Sequence, residues 1–91
     1  MRVSWTSRAL GDLVRLHDFI APTNPRAAAA ILTQLKAGPR HLQAHPRLGE
    51  RLGEFGDREV RRLIVGDYEM RYEVTQDAVW ILRLWHMRES R

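Results

Sequence analysis

The sequence has no cysteine among its 91 residues. That excludes disulfides, thiol nucleophiles and thiolate metal sites together, and it fits a reducing compartment. Lysine is nearly missing too: Lys36 is the single example, so all but one of the 15 basic residues are arginines. Arginine holds carboxylate or phosphate through paired N–H donors and keeps its charge, but it is a poor base. No window approaches the roughly 20 consecutive apolar residues of a membrane span, and the opening "MRVSWTSRAL" lacks the apolar stretch of a signal peptide. We therefore expect a cytoplasmic protein with no membrane partner. The glycines of "GERLGEFG" come without a lysine or a leading strand, so they form no phosphate loop. His41 and His45 are four residues apart, but no carboxylate stands beside them at the same spacing to extend a ligand set, and no metal or other cofactor is expected.

What is present is the composition of a folded chain, 44% hydrophobic and 29% charged. The length suits one small domain spanning 1–91. Net charge is +4, and all of that excess lies before residue 47, where Arg2, Arg8, Arg15, Arg26, Lys36 and Arg40 face only Asp12 and Asp18. Beyond that point acids and bases balance, so any basic site in the second half must arise from spatial arrangement.

"RVSW" alternates and reads as a first strand, Arg2 to Trp5. Thr6 or Ser7 can cap the helix that follows, in which Leu10, Leu13, Val14, Leu16, Phe19 and Ile20 take helical spacing and Arg8, Asp12, Arg15 and Asp18 form the polar side. Pro22 ends it. Asn24-Pro25 restarts a helix, with a capping side chain followed by a proline at the first position. Ala28, Ile31, Leu32, Leu35 and Leu42 share one face, so Gly38-Pro39 reads as a kink or tight break before one more turn, closed by His45-Pro46. "RLGERLGEFGDRE" is a charged, glycine-punctuated loop. Three strands complete the chain: "EVRRLIV", then Tyr68 to Val74, then "VWILRLWH", with turns at Gly66-Asp67 and Gln76-Asp77. In the middle strand Tyr68, Met70, Tyr72 and Val74 oppose Glu69, Arg71 and Glu73. In the last, Trp80, Leu82, Leu84 and His86 share one face, expected against the helices, and Ile81, Arg83 and Trp85 the other. The fold class is α+β with the order β-α-α-β-β-β: an antiparallel sheet of about four strands packed on an N-terminal helical hairpin.

These pieces, "WTSRALGDLVRLHDFI", "HPRLGE", "VRRLIVGDYEMRYEV" and "ILRLWHMR" in this order, resemble the RelE/ParE toxin superfamily of type II toxin-antitoxin modules over nearly the whole chain. The pattern from Val60 to Val74, with His-x-Arg at 86 to 88, is similar to the ParE branch and its plasmid-stabilisation relatives. The resemblance implies a toxin neutralised by a cognate antitoxin, ParD-like or another short acidic protein. It also implies one of two actions: binding and inhibition of DNA gyrase, as in ParE-like members, or ribosome-dependent cleavage of mRNA, as in RelE-like members.

RNA cleavage needs a proton acceptor, an acid and cations for the crowded phosphate. The chain offers His86 for acid-base work and Arg62, Arg83 and Arg88 for phosphate. Against this, Met87 follows His86 where some RNA-cleaving relatives carry tyrosine, and lysines are absent around it. Our expectation is a binding inhibitor rather than an enzyme, with Arg61, Arg62, Arg83, Trp85, His86 and Arg88 as its target-binding surface. Several of the residues on these strands have a plainer alternative. His86 could close the edge of the core, Trp85 could pack under the loop at 47–57, Arg71 could pair across strands, and the alternation leaves open which of Arg61 and Arg62 faces solvent.

Overall fold

The structure is a computed structural model that describes residues 1–89; Ser90 and Arg91, the end of the C-terminal basic stretch, lie outside the described residues. Strand β1 (Arg2–Trp5) leads into helix α1 (Ser7–Ile20), and helix α2 (Pro25–Ala37) returns beside it. Both helices start where capping chemistry directs. Thr6 Oγ1 accepts from the Ala9 amide at 3.1 Å, and Asn24 Oδ1 accepts from the Ala27 amide at 3.0 Å, with Pro25 at the first helical position. At Gly38-Pro39 the chain tightens into a 3₁₀ helix, Gly38–Gln43, which keeps Leu42 fully buried. A proline lacks the donor an α-helix interior needs, and the tighter turn accommodates it without losing the apolar face.

The expected loop contains a further strand, β2 (Glu50–Arg51), before β3 (Glu59–Val65), β4 (Tyr68–Val74) and β5 (Ala78–His86). Sheet order is β1-β5-β4-β3-β2. The last four strands pair antiparallel, while β1 runs parallel to β5, so the five-stranded sheet is mixed. Two residues are too few for alternation to reveal, and β2 is instead fixed by its neighbours. The Gly49 amide donates to the Tyr72 hydroxyl at 2.8 Å, and Arg61 Nη1 donates to the Gly49 carbonyl at 2.7 Å. Glycine is required at 49, where a Cβ would lie 2.3 Å from the Arg62 carbonyl oxygen. Among the described residues, no helix is long and apolar enough to cross a membrane.

The middle strand behaves as its alternation dictates, with Tyr68, Met70, Tyr72 and Val74 buried against Leu13, Leu16, Leu35 and Leu42. The last strand does not. Arg71 pairs with Arg83 but Tyr72 pairs with Ile81, so the register slips at Leu82. This bulge puts Val79, Ile81 and Leu84 in the core instead of Trp80, Leu82 and Leu84; Trp80 and Leu82 are half-buried. Period-2 counting fails wherever one extra residue enters a strand.

β5 outlasts its parallel neighbour. β1 ends opposite Ile81, and beyond it the edge of β5 would be bare. Helix α1 lies along that edge, and side chains from it, from its cap Thr6 and from Glu89 supply the missing partners. The Thr6 hydroxyl donates to the Leu82 carbonyl at 3.0 Å. The Leu84 amide donates to Asp12 Oδ2 at 2.9 Å. Arg15 Nη2 donates to the Leu84 carbonyl at 3.2 Å, and the His86 amide donates to Glu89 Oε1 at 2.8 Å. Side chains thus complete the ladder that β1 leaves unfinished. Asp12 belongs by its spacing to the polar side of α1, yet it is only 5% exposed. Its carboxylate also accepts from Arg83 Nε at 2.8 Å and Nη2 at 3.2 Å, and from Arg15 Nη2 at 3.3 Å.

Burial pushes the Asp12 carboxyl up, but hydrogen bonds from Arg83 and the Leu84 amide, the Arg83 charge and the Arg15 hydrogen bond outweigh it and hold the carboxyl below its ordinary value. A carboxyl more acidic in the folded than in the unfolded chain stabilises fully above its unfolded pKa of about 4, and that contribution disappears as pH falls through the lowered value. Asp12→Asn should cost about 2–3 kcal/mol in urea unfolding at neutral pH, below the figure for a fully buried pair because the Arg83 side chain is 35% exposed. The deficit should shrink below about pH 4; a deficit constant with pH would remove the charged carboxylate from this role.

Candidate functional site: an arginine row and an apolar groove

The pairing of β3, β4 and β5 sets Arg62 opposite Arg71 and Arg71 opposite Arg83, three guanidinium groups in one row across the sheet face turned away from the helices. Like charges directly opposed on a sheet are unfavourable, and each of these is countered. Arg62 Nε donates to Glu50 at 2.6 Å, and its Nη1 lies 3.8 Å from Glu69. Arg71 lies 3.5 Å from Glu69, a carboxylate only 2% exposed. Arg83 is held by Asp12, which raises its pKa further. Arg71 is also gripped between rings, 4.9 Å from the Trp85 centroid and 5.6 Å from that of Phe55, which a short 3₁₀ turn (Gly53–Phe55) carries over the sheet.

The expected surface therefore divides. Arg62, Arg83 and Trp85 share the outer sheet face with Arg71, and Trp85 is 6% exposed there, packed with Arg71 near the 53–55 turn. Arg61 points to the other face, opposite Tyr72, where Nε donates to Glu59 at 2.9 Å and Nη1 holds the Gly49 carbonyl. His86 is also on the helix side. It pairs with Tyr68, and the two rings meet edge to face with centroids 5.1 Å apart. Its Nδ1 accepts from the Arg88 amide at 3.1 Å, which leaves the neutral ring with its proton on Nε2. Arg88 is exposed and has no ion pair among the described residues. The fold thus separates His86 and Arg88 from Arg62 and Arg83 rather than gathering them around one point.

On the helix side, His86 and Tyr68 line a groove of about 660 Å³ with Leu16, Phe19 and Ile20, bordered by Arg15, Arg88 and Glu89. Burial, aided by the charges of Asp67 and Glu89, pushes the Tyr68 phenol up, so it stays protonated at neutral pH. Sequence alone misses this groove and the part played by Phe55. It had one signal to offer: Phe19 is a large aromatic at the very end of an amphipathic helix.

With the geometry described, comparison with known proteins is decisive on family. Residues 3–91 match the family model described as the ParE toxin of the type II toxin-antitoxin system parDE. The chain belongs to the ParE toxin family. A curated relative, Toxin RelE2 of Caulobacter vibrioides, is 36% identical over 85 residues, covering 93% of each chain. Among solved structures, a chain of the chromosomal ParDE TA system from P. aeruginosa has the same fold, with TM-score 0.80, 21% identity and coverage of 94% of this chain and 95% of that one. A chain of the toxin-antitoxin complex RelBE2 from Mycobacterium tuberculosis aligns with TM-score 0.60 and 28% identity over 93% of this chain and 88% of that one. ParE-type and RelE-type proteins both stand among these relatives, so the family assignment leaves the target to be argued from the chain itself.

The row makes one checkable demand on this ParE-family fold. Arg71→Ala removes two ring contacts and a cation beside the buried Glu69, and should lower stability by about 1–3 kcal/mol. Thermal unfolding reads this directly, and an unchanged midpoint would show that the row is not held by Arg71.

Proposed function

We propose that this toxin arrests growth by stoichiometric binding to DNA gyrase in the cytoplasm, and that a cognate antitoxin, a ParD-like or other short acidic protein, holds it inactive. One observation carries the choice of binding over catalysis: His86 lies on the opposite sheet face from Arg62 and Arg83. A general base must reach the proton it removes to within about 3 Å while cations hold the same phosphate. Three further features agree. Arg83 and Arg62 are engaged by Asp12 and Glu50, His86 Nδ1 is occupied by a backbone amide, and the phenol of Tyr68 remains protonated. Gyrase as the partner is what the resemblance to ParE-like members implies, and the toxin-antitoxin systems among the relatives support a cognate antitoxin.

A second reading, a RelE-like ribosome-dependent mRNA endonuclease, draws on the row of Arg62, Arg71 and Arg83 and on the 36% identity to Toxin RelE2. The two differ in what purified protein does. Added to gyrase, the toxin should inhibit supercoiling of relaxed plasmid in proportion to its amount, and expressing cells should filament while amino-acid incorporation continues. Cut messages and a halt in incorporation within minutes would replace this reading by the second. Substitution sharpens the contrast. His86→Gln should weaken growth arrest by less than about tenfold if the residue is only a contact, against the roughly 10²–10⁴-fold loss expected when an acid-base group is removed.

A further inference from the structure

We infer that the outward face of α2 and of the 3₁₀ helix that follows it, with Arg26, Lys36, Arg40 and the adjoining Arg2, binds the phosphate backbone of duplex DNA. This surface stands apart from the gyrase reading, which it would serve by bringing the toxin to the DNA on which gyrase works.

Ion pairing divides the basic residues by place. On the sheet and its loops, Arg47, Arg58, Arg61, Arg62, Arg71 and Arg83 each meet a carboxylate at 2.6 to 3.5 Å. Arg2, Arg26, Lys36 and Arg40 are exposed and have no ion pair among the described residues. The cause is compositional: residues 19–49 contain neither Asp nor Glu, so α2 and the 3₁₀ helix have no carboxylate of their own. Solubility asks for no such segregation, since mixed signs serve it better. The helix does not ask for it either, because Arg26 lies in the first turn of α2, where a cation works against the helix dipole.

The placement of these cations is regular. Arg26, Ala29, Ala30, Thr33 and Lys36 recur at three- and four-residue spacing and are all exposed, opposite the buried Ala28 and Leu35. Ten residues of helix set Arg26 and Lys36 about 15 Å apart. Arg40 continues the row on the exposed side of the 3₁₀ helix, whose Pro39 and Leu42 are buried. Met1 N lies 2.8 Å from the Gln43 carbonyl oxygen, which brings Arg2 to the end of the same row.

The side chains between the cations select the occupant. A protein partner is anchored by large apolar or aromatic groups, and the exposed positions between Arg26 and Lys36 offer only alanine, threonine and glutamine. Single-stranded RNA is held by stacking on aromatic rings, and this face of α2 has none. What it offers is a low surface with guanidinium and ammonium groups set along it, and a duplex presents one phosphate charge per about 1.7 Å of its axis to meet them. Contacts of this kind read charge and carry no sequence preference.

The test uses the full-length chain and a labelled DNA duplex of about 20 base pairs and arbitrary sequence, read by fluorescence anisotropy. Binding with a Kd on the order of 10 μM or tighter is expected at about 50 mM salt, and it should weaken about 100-fold by about 200 mM, the dependence for three or four phosphate contacts. Arg26→Gln, Lys36→Gln and Arg40→Gln, all at exposed positions, should each weaken binding several-fold and lower the salt slope by about 1. Arg51→Gln removes the same charge from another exposed arginine without an ion pair, on β2 at the far edge of the sheet, and should change binding by less than about twofold. Absence of binding at low salt, a salt slope near zero, an Arg51→Gln loss equal to that of Lys36→Gln, or equal competition by single-stranded RNA of the same length would overturn the inference. Gyrase is absent from this assay, so a failure of DNA binding and a failure to inhibit supercoiling are read separately.

Discussion

A short parallel strand beside a longer one leaves an edge that something must cover, and the rest of this fold depends on how that is done. β1 stops opposite Ile81, while β5 continues to His86. Unpaired backbone groups at a sheet edge either attract another chain or must be satisfied locally. Here α1 satisfies them with Thr6, Asp12 and Arg15, and Glu89 takes the last amide. Helix and sheet are therefore joined by directed hydrogen bonds as well as by the apolar layer of Leu13, Leu16, Ile81 and Leu84. Asp12 is the centre of this seam, because one carboxylate holds the β5 backbone, Arg83 and Arg15 together.

That seam bears on function through Arg83. A guanidinium bound at both ends of its fork to a buried carboxylate is a structural cation first. The same holds along the row, where Arg71 is enclosed by Phe55 and Trp85 beside Glu69. Such an arrangement makes a rigid, preorganised face whose charge is largely neutralised, suited to matching a protein surface. The two faces of β5 thus carry different properties: a polar surface outward, and an apolar groove at the helix end.

Much of this was legible in the residues. Thr6 and Asn24-Pro25 mark both helix starts, and Gly66-Asp67 fixes the central hairpin, with Gly66 at φ +59°. Counting outward from that two-residue turn already pairs Arg62 with Arg71. The rest was hidden for physical reasons. Counting from the next turn sets Arg71 against Leu82, and only the bulge moves it to Arg83. Asp12 reads as a solvent-facing acid because its partner, the amide of Leu84, becomes available only when β1 ends short. β2 is two residues held by Gly49 and Arg61, contacts between segments far apart in sequence. The division of Arg61, Arg62, Arg83, Trp85, His86 and Arg88 between two faces depends on the same bulge and pairing.

The claim that the Asp12 seam holds helix to sheet is tested most directly by a double-mutant cycle on Asp12 and Arg83, read by urea unfolding at neutral pH. If the pair acts as described, Asp12→Ala and Arg83→Ala together should cost less than the sum of the two single losses, with a coupling of about 1–3 kcal/mol. Losses that simply add, with coupling near zero, would contradict the account and return Arg83 to the surface as a free cation.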